Sequence, residues 1–553
     1  MRKLNQWLAV AAVLVLGLPS PAFSAGLDDS TEHAEALRLQ AELTKRLTGA
    51  PPVGAFDVSD GYVGGFSVAA GADSSCVASL KFWCWGGGDS DPAKVALSAE
   101  PGAVAAGRAH TCALEFFDES DDGGDLYCWG DNAEGQLGDG TTTPRTAPVK
   151  VATEIRQVAT GDDHTCVIKT DQTVACWGRN DVGQLGIGAA GASENTAQPV
   201  AGLDDVIDLA AGGDTTCAVD DDDDTWCWGS DADGQVGDGA AGTGEADSPS
   251  KVDTSQEFTQ IEVGDAHACG VTDSGNIWCW GLDDHGQLGD DAATADKDVP
   301  VRAVLPPAVD AWSVSAGGDS TCVVTTLGLS MCWGANAEGQ LGVGDRNDRH
   351  LPAKVDQSAM PESPFLAGFG LKGSRIFQIS VGARHACAVD ISTNAFCWGD
   401  NSDGQLGDGT TDDHLVPEAT ALVPGAPTAL TARAGDKRLA VTWKAPADLG
   451  AGTLTGYGVV ALSREDGSDC LVKATRCTIT GLTNGTAYTV SAATLTDSGL
   501  TFSAAVFATP ASAEPAPGQG GSLPITGAAV SMLIMIGGGL VAVGLVLRFA
   551  RRA

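Results

Sequence analysis

The sequence predicts an all-β protein with two kinds of domain, and three observations support this. The phrase Cys-Trp-Gly recurs seven times, glycine accounts for 73 of 553 residues, and the charge changes near residue 424. Residues 26–423 carry 20 basic and 65 acidic side chains, whereas residues 424–511 carry 7 and 6. Abundant glycine with 43% hydrophobic residues is typical of a turn-rich β protein. We therefore expect a large acidic repeat domain followed by a smaller, nearly neutral one.

The net charge of -40 restricts the partners of this protein. Nucleic acids and anionic lipid headgroups bind to clustered cations, because phosphate charges must be neutralised. The sequence therefore predicts no nucleic-acid partner and no binding to an anionic membrane surface.

Residues 1–25 are predicted to be a secretory signal peptide. Arg2 and Lys3 precede an apolar run at residues 8–18, and small residues at 22–25 offer a cleavage site. The run is short for a bilayer span, so cleavage is favoured over an N-terminal anchor.

The C-terminus has three parts in a characteristic order. The pentapeptide Leu523-Pro524-Ile525-Thr526-Gly527 precedes an apolar run at 528–547 and a basic tail at 548–553. Twenty apolar residues suffice for a transmembrane helix, and the trailing arginines predict a cytoplasmic tail. The order resembles the LPxTG sorting signal of Gram-positive wall-anchored proteins. It implies that a sortase cuts after Thr526 and joins Thr526 to peptidoglycan, so that the membrane holds only the precursor. An ordinary single-span anchor is the alternative.

The internal repeat is marked by two short phrases. In six of the seven copies, Cys-Trp-Gly is followed by Gly-Gln-(Leu/Val)-Gly, as at residues 135–138 and 404–407. The first copy instead continues through Gly86-Gly87-Gly88-Asp89. Terminal repeats of an array are often atypical, so we count seven repeats.

Each repeat carries a second cysteine 8, 10 or 16 positions upstream of its Cys-Trp-Gly. Because every separation is even, both cysteines lie on the same face of an antiparallel hairpin. Opposed residues there are about 4.5–5.5 Å apart, which suits a disulfide, and export provides an oxidising environment. We predict seven disulfides within the repeats: Cys76–Cys84, Cys112–Cys128, Cys166–Cys176, Cys217–Cys227, Cys269–Cys279, Cys322–Cys332 and Cys387–Cys397.

Metal binding is the alternative for these cysteines. A histidine lies two residues before the upstream cysteine in four repeats, at His110, His164, His267 and His385. Ser74, Thr215 and Ser320 hold that position in the others, and hydroxyls replace imidazole well as hydrogen-bonding groups but poorly as zinc ligands. We therefore expect a structural role and no metal.

The repeat reads as short strands separated by glycines, which is typical of a propeller blade. Seven blades would close a ring and remove long exposed edges. The unit from Gly161 to Gly186 resembles the regulator-of-chromosome-condensation (RCC1) repeat, and the resemblance covers residues 64–423. It implies a seven-bladed β-propeller but not nucleotide exchange, which acts on a nuclear GTPase. Secreted bacterial members are closer in character, including a β-lactamase inhibitor. The incomplete first repeat leaves the manner of ring closure open.

Residues 424–511 form the second predicted domain. In Gly481–Tyr488, a leucine at 482 precedes a tyrosine at the start of a strand, which resembles the tyrosine corner of fibronectin type III domains. The resemblance implies a β-sandwich that serves as a spacer. We expect Cys470 and Cys477 to form a local disulfide. A linker at 512–522 reaches roughly 40 Å, and residues 26–63 form either an amphipathic helix or a loose tether.

No catalytic motif is present, so we expect neither enzyme activity nor a cofactor. The dinucleotide-like pattern at residues 186–191 falls in a repeat turn without a strand–helix unit around it. The recurring Asp139, Asp238 and Asp408 are interpreted as turn formers.

Two features depart from the repeat. The acidic run Asp220–Asp224 is interpreted as a solvated hairpin tip, with calcium binding as the alternative. The connector Asp345–Arg375 is longer than its counterparts and is a candidate partner-binding segment, since long loops on rigid scaffolds often carry function. A tolerated insertion is the alternative. Its basic residues are Arg346, Arg349, Lys354, Lys372 and Arg375.

These observations predict an exported, peptidoglycan-anchored surface protein. Its propeller face would bind an unidentified protein or glycan without catalysis. Two alternatives are an inhibitor of a secreted or wall-associated enzyme, by the likeness to the β-lactamase inhibitor, and a carbohydrate-active enzyme.

Overall fold

The computed structural model describes residues 67–511, apart from residues 80, 98–99, 117–122, 241–243, 292–294, 327, 361–375, 391–393 and 464–466. The predicted signal peptide, N-terminal segment, linker, sorting motif, transmembrane segment and basic tail lie outside these ranges. Within the described ranges no helix combines the length and apolarity needed to cross a bilayer. The described residues include a short 3-10 helix, Gln357–Ala359.

Residues 67–419 form seven antiparallel blades of four strands, each following chain order from the innermost strand outward; two of the blades are joined into one seven-stranded sheet. The strands of the first three blades are β1 Ser67–Ala70, β2 Ser74–Ala78, β3 Phe82–Gly86, β4 Asp89–Lys94, β5 Glu100–Ala106, β6 His110–Phe116, β7 Gly124–Gly130, β8 Arg145–Thr160, β9 His164–Lys169, β10 Val174–Gly178 and β11 Glu194–Pro199. Blades 2 and 3 share β8, whose first half is the outer strand of blade 2 and whose second half is the inner strand of blade 3. Glu154, at φ 60°, lies at the junction of the two halves.

Blades 4 to 7 repeat the same plan without a shared strand. Their strands are β12 Val206–Gly212, β13 Thr215–Asp220, β14 Thr225–Asp231, β15 Gly244–Lys251, β16 Phe258–Val263, β17 His267–Thr272, β18 Ile277–Gly281, β19 Lys297–Arg302, β20 Ala311–Gly317, β21 Ser320–Thr325, β22 Ser330–Gly334, β23 Arg349–Lys354, β24 Ile376–Val381, β25 His385–Asp390, β26 Ala395–Gly399 and β27 His414–Ala419.

The ring closes between blade 7 and blade 1 by the same contacts that join other neighbours. The Ala70 N–H donates to Ser380 Oγ at 3.0 Å, just as the Val381 N–H donates to Ser315 Oγ at 3.1 Å between blades 6 and 7. The Trp85 indole donates to the Gln405 carbonyl at 2.8 Å. The incomplete first repeat therefore does not affect closure, because the missing phrase lies on the opposite side of blade 1.

The predicted disulfides within the repeats are confirmed. Each pair occupies directly opposed positions of the second and third strands of one blade, as between Cys269 and Cys279. The Cα atoms of the seven pairs are 4.1–4.2 Å apart, and no cysteine is free among the described residues. The even spacing was therefore a correct guide to register.

The second unit is a β-sandwich. Its strands are β28 Thr428–Gly435, β29 Arg438–Lys444, β30 Leu454–Leu462, β31 Gly467–Val472, β32 Arg476–Thr480, β33 Tyr488–Thr496, β34 Leu500–Phe502 and β35 Val506–Ala508. One sheet contains β28, β29 and β32, and the other contains β30, β31, β33, β34 and β35. The Thr483 N–H donates to the buried Tyr488 hydroxyl at 2.9 Å, which confirms the tyrosine corner. The disulfide between Cys470 and Cys477 joins β31 to β32, so it links the two sheets.

Candidate functional site

The Gly-Gln-(Leu/Val)-Gly phrase joins neighbouring blades through a main-chain carbonyl. The Gln136 carbonyl of blade 2 accepts a hydrogen bond from the Trp177 indole of blade 3 at 3.0 Å. The same carbonyl accepts from the Thr165 hydroxyl of blade 3 at 2.8 Å, and His110 Nε2 lies 2.9 Å from that hydroxyl oxygen. Because the Thr165 proton is given to the carbonyl, His110 Nε2 must carry a proton and act as donor. His110 therefore connects blade 2 to blade 3 through a hydrogen bond.

Equivalent histidine–hydroxyl pairs join three further junctions: His164–Thr216, His267–Thr321 and His385–Ser75. Burial lowers the pKa of all four histidines, to about 3 for His164 and to about 4 for the others, so they are neutral at pH 7. No group of three or more His, Cys, Asp or Glu side chains is arranged to hold a metal in the described part of the chain.

In two of the three repeats that replace the histidine, the partner position in the next blade is replaced too; the blade that follows Ser74 keeps a hydroxyl, Thr111. Thr215 and Ser320 donate instead to carbonyls of their own blades, at 3.1 and 2.9 Å. The following blades then carry Ala268 and Ala386 where a hydroxyl would otherwise stand. This pairing of substitutions explains, in terms of hydrogen bonding, the presence of Thr215 and Ser320 at the histidine position.

Two carboxyl groups lie on the innermost strands of blades 4 and 5; Asp208 is buried and Glu262 is half-buried. Asp208 accepts hydrogen bonds from Gln157 Nε2 at 2.9 Å and from the Ile261 N–H at 2.7 Å, and burial raises its pKa to about 6. Burial, and then repulsion from Asp208, raises the pKa of Glu262 to about 8. The interior of the ring therefore keeps Glu262 protonated at neutral pH.

Four more carboxyl groups surround one mouth of the ring. Asp162, Asp214, Asp265 and Asp319 lie in the turns that follow the innermost strands of blades 3 to 6. We call these four residues the acidic rim. Burial and then mutual repulsion raise the pKa of Asp265 to about 6, although its side chain still reaches solvent. Among the described residues, neither Asp265 nor Asp319 has an ion pair. Asp214 lies 3.8 Å from Arg179, and Arg108 lies near Asp162, so the negative charge that lacks a cationic partner is concentrated at Asp265 and Asp319.

The Glu262→Gln variant tests the interior carboxyl pair. The unfolded glutamate ionises near pH 4.5, whereas the folded one keeps its proton to about pH 8, so wild-type stability falls as pH rises between these values. The variant cannot ionise, so we expect equal stability at pH 4.5 and a gain of about 2–3 kcal/mol at pH 8. This gain in stability is smaller than the free energy that corresponds to the full pKa shift, because Glu262 is partly exposed to water. Urea unfolding at the two pH values measures it, with the exposed Glu257→Gln as control. A gain that is the same at both pH values would contradict the assignment.

The predicted basic segment is not a free cationic surface where it is described. Arg346 contacts Glu338 at 3.0 Å and Asp413 at 2.7 Å, which ties blade 6 to blade 7. Arg349 contacts Asp345 at 2.7 Å and begins the outer strand β23. Lys354 ends that strand and is exposed. Lys372 and Arg375 lie outside the described residues. The first part of the connector is thus a regular part of blade 6, which the sequence pattern missed because the strand is mostly polar.

In the acidic hairpin and at the recurring aspartates, carboxylates accept backbone N–H groups of their own turns. Asp220 accepts the N–H groups of Asp222 and Asp224 and the Trp226 indole, at 2.9–3.1 Å. Asp139 and Asp408 likewise accept the N–H two residues ahead at 2.9 Å. Gly186, in the dinucleotide-like pattern, lies against Trp228 in a blade junction. The carboxylates of Asp139, Asp220 and Asp408 therefore hold the turns in which they lie.

Sequence reasoning missed the acidic rim. The available signal was the position of each carboxylate directly after a glycine that ends an alternating strand, as in Gly264-Asp265. These residues are about 50 positions apart along the chain, so only the ring brings them together.

The fold and the rim define a class: a rigid propeller scaffold that presents its turns around a central opening. A model of the RCC1-like domain matches residues 86–370, and models of the RCC1 repeat match 378–405 and 394–437. The chain therefore belongs to the RCC1-like family, and residues 425–509 match the fibronectin type III domain. Propellers of this family are protein-interaction modules.

Two relatives share the RCC1-like part of this chain. The ultraviolet-B receptor UVR8 of Arabidopsis thaliana is 29% identical over 315 residues, covering 57% of this chain and 56% of the receptor. The E3 ubiquitin-protein ligase HERC2 of Mus musculus is 27% identical over 55% of this chain but only 6% of the ligase. The chain thus spans about half the length of the first relative and a small part of the second.

Solved structures show the same fold. Yeast RCC1 (Prp20), crystallised with Kap60, aligns with a TM-score of 0.52 and 20% identity over 66% of this chain and 85% of that one. Human WBSCR16 aligns with a TM-score of 0.50 and 21% identity over 60% of this chain and 88% of that one. At such identities the likeness concerns the fold alone.

Proposed function

We propose that this protein is a non-catalytic surface protein whose propeller binds a cationic protein partner at the acidic rim. The observation that carries the proposal is the group of four carboxylates at the mouth of the ring, of which Asp265 and Asp319 form no ion pair with any residue that the structure describes. Clustered like charges in a recess attract a partner of opposite charge and speed its association. The same negative surface is unsuited to nucleic acid.

The rim variant tests the binding site. In the full chain, Asp265→Asn with Asp319→Asn should weaken binding of an oligolysine peptide about tenfold, because two poorly screened charges are removed. The control is Asp221→Asn with Asp222→Asn, which makes the same charge change on the exposed hairpin of blade 4. Isothermal titration at two salt concentrations measures both. Equal weakening by the two variants would show that only net charge acts, and would refute a binding site at the rim.

We further propose that the protein is exported and joined to the cell wall through Thr526, with the fibronectin type III domain as spacer. The order of pentapeptide, apolar run and arginine tail supports this, together with eight disulfides, which form in oxidising compartments. We expect the C-terminal peptide of wall-released protein to end at Thr526 by mass spectrometry. The Thr526→Ala variant should keep residues 528–553 and stay with the membrane fraction. A mature chain that retains the apolar run would support an ordinary membrane anchor instead.

A further inference from the structure

The three-stranded sheet of the fibronectin type III domain turns one face to solvent, and that face carries cations but no carboxylate. Side chains alternate along β29, where Leu439, Val441 and Trp443 are buried and the residues between them are exposed. The outward positions of the three strands are held by Thr431, Arg433, Arg438, Ala440, Thr442, Lys444, Arg476, Thr478 and Thr480. We call its four cations, Arg433, Arg438, Lys444 and Arg476, the cationic face. In a chain with 72 acidic and 32 basic residues, such a face departs strongly from the average.

The charge of the cationic face is not neutralised within the described part of the chain. None of its four cations forms an ion pair with a residue that the structure describes. Arginines of the propeller differ, since Arg346, for example, pairs with Asp413 at 2.7 Å. The carboxylate of the turn between β28 and β29, Asp436, accepts a hydrogen bond from Asn484 Nδ2 at 2.7 Å. The positive charge of the face is therefore available to a ligand.

Two of the four cations line the same recess. Arg433 and Arg438 border a recess of about 310 Å³ together with Ala440 and Thr478. Arg433, Ala440 and Thr478 are directly opposed across the three strands, and Arg438 lies two positions before Ala440 on the same face. The Arg438 side chain lies over β28, because a Cβ added at Gly435 would be 3.0 Å from its Nε. The glycine thus leaves room for one guanidinium beside the strand that carries the other.

Two guanidinium groups in one recess favour a phosphate group over a carboxylate. A guanidinium donates a fork of parallel N–H groups, and the two oxygens of a planar carboxylate are satisfied by one such fork. A phosphate presents oxygens in several directions, so it can accept hydrogen bonds from both arginines and from the Thr478 hydroxyl. The recess therefore matches the chemistry of a phosphate.

The cationic face is too long for a single ion. Arg438 and Lys444 lie at the two ends of β29, which places their Cα atoms about 20 Å apart, and Arg476 lies on the neighbouring strand opposite Thr442. Like charges spread over this length attract a ligand whose negative charges are also repeated. The face therefore fits a polymer with several phosphate groups.

The same face has no aromatic side chain on which a nucleobase could stack. Its other outward residues are threonines and Ala440. The tryptophan of β29, Trp443, points to the buried side, where its ring centroid lies 5.6 Å from that of Tyr457. Proteins that bind single-stranded nucleic acid combine cations with exposed aromatic side chains that stack on the bases. The face thus fits phosphates that carry no bases.

We propose that the cationic face binds a flexible polymer of alcohol units joined by phosphodiester groups. Arg433 and Arg438 hold one phosphate in the recess, and Arg476 and Lys444 contact phosphates further along the polymer. This site goes beyond the acidic rim, because it lies on the other domain and takes a ligand of opposite charge. Neither site requires the other, so each can fail alone.

Fluorescence anisotropy of a labelled glycerol phosphate oligomer with the full chain in detergent tests the site. We expect Arg433→Gln with Arg438→Gln to weaken binding about tenfold and to reduce its salt dependence, because two phosphate contacts are removed. The control is Lys437→Gln with Lys473→Gln, which makes the same charge change at exposed turn positions outside the face. Equal weakening by the two variants would overturn the proposal, since net charge alone would then act.

A charge-preserving variant tests the role of the guanidinium groups. Arg433→Lys with Arg438→Lys keeps both charges but removes the two forks, so we expect binding of the same oligomer to weaken roughly threefold. All four positions changed in these variants are exposed, so thermal melting should remain at the wild-type temperature. A lysine pair that binds as tightly as the arginine pair would refute recognition of phosphate in the recess.

Competition identifies the class of polymer. We expect polyglutamate of equal charge to compete about tenfold more weakly than unlabelled glycerol phosphate oligomer, and oligothymidylate to compete no better than that oligomer. Equal competition by polyglutamate would indicate an acidic protein ligand, and stronger competition by oligothymidylate would indicate a nucleic acid; either result would overturn the proposal. Binding of oligolysine should be unchanged in all three variants, which distinguishes failure of this site from failure of the acidic rim.

Discussion

Reduction of the propeller disulfides is expected to unfold the propeller at room temperature. Each bridge closes a hairpin of 8–16 residues, which is worth about 2–3 kcal/mol, so seven bridges contribute about 15–20 kcal/mol. This equals or exceeds the net stability of about 5–15 kcal/mol that is typical of a domain. Near-ultraviolet circular dichroism and thermal melting, with and without reductant, measure the effect.

The disulfides also predict a graded series. Replacing Cys269 and Cys279 together by alanine removes one bridge, and we expect a loss of about 2–3 kcal/mol with the other six intact. Both sulfurs are fully buried, so without denaturant the wild-type chain should show no reactive thiol. A fully reduced propeller that melts cooperatively within a few degrees of the oxidised one would show that packing alone holds the blades.

Trp280→Ala is expected to cost about 4–5 kcal/mol of unfolding free energy. The side chain is 0% exposed, stacks on Phe258 with ring centroids 5.9 Å apart, and donates to the Gln235 carbonyl at 2.9 Å. Truncation leaves a large cavity and an unsatisfied buried carbonyl, and both contributions destabilise. Denaturant unfolding followed on the propeller transition measures it, since the second domain is a separate compact unit.

The matched comparison is Trp129→Ala, at the same position of the junction where blade 1 lacks the Gly-Gln-(Leu/Val)-Gly loop. Trp129 is partly exposed, and within the described part of the chain its indole donates to no carbonyl, so we expect a cost of about 1–2 kcal/mol. Similar costs for the two variants would mean that the missing loop leaves no gap in the junction.

Much of the architecture could be predicted because its signals are local. The even spacing of the cysteines predicted register correctly, since a hairpin of 8–16 residues is a short-range structure in which side chains alternate between faces. Leu482 and Tyr488 predicted the corner of the second domain for the same reason. The replacement of histidine by serine or threonine at one repeat position correctly indicated a hydrogen-bonding role.

Other features could not be predicted from local patterns. β23 was interpreted as part of a connector, because an outer strand is largely exposed and lacks alternation. The arginines of this connector were expected to be free to bind a partner, but Arg346 contacts Asp413, which lies 67 residues away in the sequence. The link between Cys470 and Cys477 was expected to be local, and only the sandwich places its two strands in different sheets.

The sequence by itself determined the number of blades, the disulfide pairing within them and the position of the atypical repeat. These features follow from the repeat length and from the even spacing of the cysteines, both of which can be read from short stretches of sequence. Only the tertiary structure decided what the atypical repeat lacks and where the charges gather. The carbonyl missing at Trp129 is recognised by comparison with six junctions in space, and the pKa of Asp265 is raised by burial and by carboxylates from other blades. Both depend on closing the ring, which brings together residues about 50 positions apart.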